Sequence, residues 1–115
     1  MGDVLTALIN ALNEYGDATR DINTIVFQKG NYKVEIRITR FNIASETIFL
    51  TVDLSEVYYK YRGKWDCLSK LSVIFSNTIA TIKDGKLVET GGILEIAKNI
   101  SEHVDTHKLL NGNRK

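Results

Sequence analysis

The chain has 115 residues, 43% of them hydrophobic and 25% charged, with a formal net charge of +1. That is the size and composition of one globular domain, and so small a net charge excludes a global field able to collect nucleic acid, leaving any electrostatic partner to a local patch. No apolar run approaches the ~20 residues that cross a bilayer, so no membrane partner is expected.

The single Cys67 excludes an internal disulfide. The first residues lack the basic and apolar regions of a secretory leader, and a reducing, cytoplasmic setting is the expectation. Proline is absent, so nothing interrupts long strands and the turns must rely on Gly, Asn and Asp.

At the N-terminus, Asp3 is a candidate cap for a helix whose apolar positions Val4, Leu5, Leu8, Ala11, Leu12 and Tyr15 recur at helical spacing, with Gly16 placed to end it. Residues 17–23 are polar and read as a connection. Two strands follow, one around Ile25, Val26 and Phe27 and one over 32–41. A two-residue loop at Lys29 and Gly30 would pair Phe27 with Tyr32 and Ile25 with Val34, all on one face. In the second strand Tyr32, Val34, Ile36 and Ile38 alternate with Lys33, Glu35, Arg37 and Thr39, the pattern of a sheet with one dry and one wet face. Residues 42–45 read as a loop.

The next strand buries Ile48, Leu50, Val52 and Leu54, all at even positions, whereas the inward set from Val57 onward is odd: Val57, Tyr59 and Tyr61. That change of parity requires an extra residue, so a bulge is expected between Asp53 and Glu56. Beyond Gly63 the apolar set Trp65, Cys67, Leu71, Val73 and Phe75 is odd again. A three-residue turn at Arg62, Gly63 and Lys64 then pairs Tyr61 with Trp65 on the core side and leaves Tyr58, Lys60 and Arg62 on the wet side. A bend is expected near Ser76 and Asn77. Asp84 and Gly85 signal a tight hairpin aligning Ile82 with Leu87. Gly91 and Gly92 let the chain turn into a last helix with Ile93, Ile96, Ala97, Ile100 and Val104 on one stripe.

The order helix, about six short strands, helix predicts an α+β domain over residues 1–110. It has a curved antiparallel sheet with the N-terminal and C-terminal helices on one face, and a frayed polar tail at 111–115.

Residues 57–65 stand out, with four of the chain's ten aromatic residues and three cations but no acid. If Tyr59, Tyr61 and Trp65 are core, the cations keep an exposed hairpin tip soluble. The same residue types also build protein interfaces, and aromatic rings beside cations suit single-stranded nucleic acid. The reading adopted is a small non-enzymatic module that binds another protein through the wet sheet face and the 58–65 hairpin, with Tyr58, Lys60, Arg62, Lys64, Arg37 and Arg40 as the contact residues. A second copy of the chain is a candidate partner, and the small motif-free domain fits a virus-encoded inhibitor of a host protein.

The first alternative is nucleic-acid or nucleotide binding by the same face, expected to be weak because about three phosphate contacts confer little affinity. The second is a metal-dependent enzyme using His103 and His107, whose i, i+4 spacing puts both on one helix side, with Asp105 or Cys67 as a third ligand. Both histidines flank the apolar stripe near a fraying terminus, where solvated or interface histidines are commoner than ligands, so no resident metal is expected. Cys67, at an inward parity, reads as a small core residue. No cofactor motif is present.

Overall fold

Residues 2–70 and 72–110 are described by the computed structural model. Helix α1 (Gly2–Leu12) is followed by strands β1 (Asp17–Asp21), β2 (Thr24–Lys29), β3 (Tyr32–Ala44), β4 (Thr47–Tyr61), β5 (Lys64–Ser69), β6 (Val73–Lys83) and β7 (Lys86–Glu89), and by helix α2 (Gly92–Leu110). The α+β architecture expected from the sequence is present. The strands form one antiparallel sheet in the order β1-β2-β3-β4-β6-β7, with β5 also on β4. The two central strands are long, 13 residues in β3 and 15 in β4. The expected tail at 111–115 and the inward position assigned to Leu71 lie outside the described residues.

One face of the sheet is dry because its strands alternate. Ile25, Phe27, Val34, Ile36, Leu50, Val52 and Leu54 are at most 1% exposed, and they pack with Leu8 and Leu12 of α1 and with Ile96, Ile100 and Val104 of α2. Removing each such side chain from water contributes about 1.5–3 kcal/mol. Both helices thus cover the same face, and among the described residues the other face of the sheet carries no helix. The parity break foreseen before Glu56 is real: Ile36 pairs with Leu54 and Val34 with Val57, so Ser55 and Glu56 together oppose Glu35. Further bulges fall at Thr39 and Ile79. These extra residues curl the sheet around its helices.

Several local expectations are corrected. Residues 17–21, read as connection, form edge strand β1, whose polar side chains reflect exposure of all but Ala18. The β2–β3 register is shifted by two: the loop is Gly30 and Asn31, Lys29 pairs with Tyr32 and Phe27 with Val34. Its face was right because a shift of two preserves parity. Residues 42–44, read as loop, continue β3, and the chain turns at Ser45 and Glu46, both at positive φ. No bend occurs at Ser76 and Asn77; β6 runs through them and absorbs its irregularity at Ile79. Helix α1 already includes Gly2, so Asp3 lies inside its first turn rather than capping it, and Tyr15 lies beyond its end, 41% exposed. The hairpin at Asp84 and Gly85 has the expected register, Ile82 opposite Leu87.

The start of α2 is welded to β6. Thr90 Oγ1 donates to the Thr78 carbonyl (2.6 Å) and accepts from Gly92 N–H (3.1 Å), while Thr90 N–H donates to the Ile79 carbonyl (3.1 Å). A Cβ on Gly92 would collide with the Thr78 carbonyl oxygen. Only glycine permits this approach. At the opposite end of the sheet, Lys29 Nζ donates to Ser101 Oγ (2.9 Å) and pairs with Asp105 (2.7 Å), tying β2 to α2. No described helix is long and apolar enough to cross a membrane.

Candidate binding face at the β4–β5 hairpin

The expected three-residue turn is a two-residue one. Tyr61 pairs with Lys64 and Lys60 with Trp65, and the loop is Arg62 (φ 51°) and Gly63 (φ 79°). Two successive positive φ values are the geometry that matches strand twist in a tight hairpin. One residue fewer in the loop reverses the parity of everything after it. Trp65 therefore shares a face with Lys60, and Cys67 with Tyr58, on the side of the sheet away from the helices. Neither is core: Trp65 is half-buried and Cys67 is exposed.

The reversal builds a cluster that the sequence did not disclose. Lys33 pairs with Tyr58 across β3 and β4, and its Nζ lies 4.4 Å from the Trp65 ring centroid and 5.1 Å from that of Tyr58. Lys60 Nζ lies 5.8 Å from the Trp65 ring. Three strands thus contribute two aromatic rings and two ammonium groups to one outward patch. Cations at these distances are attracted by the negative ring faces, and they hold the rings in place while keeping their own charge toward solvent.

The remaining expected contact residues do not join it. Lys64 shares the opposite, helix-side face with Tyr61, which is 43% exposed rather than core and stacks on Tyr59 at 6.5 Å. Arg62, expected on the wet face, lies over the Tyr61 ring at 5.2 Å. Arg37 and Arg40 are exposed but lie opposite Asp53 and Thr51, roughly 13 Å or more along β3 from Lys33 at 3.3 Å per residue. Lys33 and Trp65 were the residues missed. The signal for Trp65 was the Gly63 that permits a two-residue loop; for Lys33 it was its even-odd place in β3, read only as a solvated alternation.

His103 and His107 lie together on α2, their ring centroids 4.8 Å apart in an edge arrangement, with Phe75 6.2 Å from His103. Burial holds both imidazoles below the usual histidine range, and the neighbouring His107 lowers His103 further. The third ligands suggested by the sequence are elsewhere. Asp105 is engaged by Lys29, and Cys67 is on the far face of the sheet. Among the described residues no three of His, Cys, Asp and Glu converge. An apolar cleft of about 250 Å³ lies between Val4 and Ala7 of α1, Ile79 and Leu87 of the sheet and Ile93 of α2, with Glu89 its one titratable lining residue.

Comparison with protein-family models, with curated proteins and with solved structures gives no match.

Proposed function

We propose that this chain is an interaction module that binds an acidic segment of another protein through the outward patch of Lys33, Tyr58, Lys60 and Trp65. The observation that carries the reading is the seating of two lysines around the rings of Tyr58 and Trp65 on the uncovered face of the sheet. Tyr and Trp supply contact area at little conformational cost, and cations at the rim select carboxylates. Arg62 and Lys64 at the hairpin tip extend the positive field without sharing that face.

Nucleic acid requires ring faces open to bases and a train of cations along a backbone. Here the lysines lie over the rings and compete with bases for their faces, so a protein segment that needs the rings only as contact area fits better. The test is capture from a cell lysate by the parent protein and by a Lys60→Ala, Trp65→Ala variant, each with and without nuclease. A protein retained by the parent after nuclease and lost by the variant supports the proposal. Retention that nuclease abolishes, together with quenching of Trp65 emission by single-stranded oligonucleotide at physiological salt, transfers the patch to nucleic acid.

A further inference from the structure

We propose that the open edge formed by β5 and the first half of β6 pairs antiparallel with the same edge of a second copy of this chain. On this side of β4, β5 covers 57–61 and β6 covers 47–54, so the two lie end to end in one lane. The outer side of β6 is covered from Ala80 onward, where β7 pairs with it, and at Thr78 and Ile79, where Thr90 binds both carbonyls. Among the described residues, no strand pairs with the outer side of 64–68 or 73–77.

An edge strand is normally blunted by charge, proline or a cover. Residues 73–77 are Val73, Ile74, Phe75, Ser76 and Asn77, with neither charge nor proline, and Ile74 is 62% exposed. This half of the edge is a template for another strand, whereas the β5 half carries Lys64 and Asp66. The stop imposed by Thr90 and β7 limits what fits: a strand can advance along β6 only as far as Asn77 before meeting Thr90. The β5 segment of a second copy suits that space because it ends in a two-residue hairpin beyond Lys64.

Face parity admits only every second register, and the match of segment lengths selects among them. Trp65 and Cys67 point outward, as do Ile74 and Ser76, which pair with Asp53 and Thr51 of β4. Matching the two open segments end to end places Cys67 opposite Ile74 of the second copy and Trp65 opposite its Ser76, short of the bulge at Leu68. The two-fold axis repeats each pair, since a two-fold interface uses one patch twice. Small Ser76 leaves the Trp65 ring accessible, so the patches of both copies lie on one continuous outer face. This inference does not rest on the acidic-partner reading.

The experiment combines light scattering with directed cross-linking. Across a concentration series reaching the millimolar range, the parent protein is expected to pass from monomer to dimer, and Ile74→Lys to stay monomeric with an unchanged melting temperature. Under mild oxidation Ile74→Cys is expected to form a disulfide-linked dimer through native Cys67. Within one chain those positions lie opposite Asp53 and Tyr58 of β4, roughly 15 Å apart and too far to bridge. The Cys67→Ser, Ile74→Cys control should not cross-link. A parent protein monomeric throughout, a dimer that survives Ile74→Lys, or cross-linking equal in the control would overturn the proposal. Ile74→Lys leaves Lys33, Tyr58, Lys60 and Trp65 in place, so its capture of an acidic partner reports on the other reading separately.

Discussion

Ile22, 81% exposed, sits at φ 54° in the loop between β1 and β2. The left-handed region crowds a β-branched side chain at a cost of about 1–2 kcal/mol, and no burial of Ile22 offsets it. Ile22→Asn, which tolerates that backbone, is expected to stabilise the protein by about 1 kcal/mol in denaturant unfolding. Trp65 gives the opposite lesson about size. Because it lies half-exposed on the outer face, Trp65→Ala should cost under about 1 kcal/mol, whereas Leu50→Ala, from a fully buried site, should cost about 2–5 kcal/mol. Equal losses would return Trp65 to the core. At Gly92 even a methyl group must displace the Thr78 backbone, so Gly92→Ala should cost about 3 kcal/mol by the same measurement.

At the scale of elements, α2 is held at both ends by different means. Its N-terminus is fixed by Thr90 and the bare Gly92 against β6, and its later turns by Lys29 bound to Ser101 and Asp105. Ser101 is 2% exposed, so Lys29→Ala removes a partner from a buried hydroxyl and should cost about 1–3 kcal/mol. The histidine pair on this helix sets a pH dependence. Both folded-state values lie below the ordinary 6.5, so the unfolded chain binds protons that the folded one refuses. Stability is full above about pH 6.5 and falls as acid protonates the pair. Melting temperatures should decline between pH 7 and pH 5.5, and less in His103→Gln, which removes the more buried imidazole; identical slopes would show that other groups govern the decline. The helix stripe itself was readable, since Ile96, Ala97, Ile100 and Val104 recur at helical spacing and all are buried. The β4–β5 hairpin was not, because its meaning turned on a single loop residue.

The whole molecule is elongated, 56 × 25 × 23 Å with a radius of gyration of 15.2 Å, against roughly 13 Å for a compact chain of this length. Long β3 and β4 carry the sheet away from a centre that two helices on one face can cover. The consequence is a broad outer face on a nearly neutral protein, where a few cations dominate locally. A Lys33→Glu, Lys60→Glu variant should therefore melt within about 0.5 kcal/mol of the parent yet lose its acidic partner. Binding by the parent should weaken as salt rises, because exposed charges are screened beyond ~8 Å at physiological ionic strength. Salt-independent binding would place the energy in apolar contacts instead.

What the amino-acid sequence determined by itself was the property of each segment taken alone. Alternation in β3 and β4 gave their dry faces, the 3.6-residue stripe gave α2, the parity break at Ser55 and Glu56 gave the main bulge, and Asp84 with Gly85 gave a hairpin register. What only the tertiary structure decided was how one segment sits relative to the next. In β5 the short period-2 pattern defines two faces but does not say which faces inward, and a loop one residue shorter exchanges them. Trp65 and Cys67 carry enough apolar surface to read as core, and the hydrophobic pattern of five or six residues is too short to outweigh the backbone twist that favours a two-residue loop at Arg62 and Gly63. Lys33 met Trp65 because β3 and β5 flank the same stretch of β4, an adjacency set by strand order and invisible to any local window.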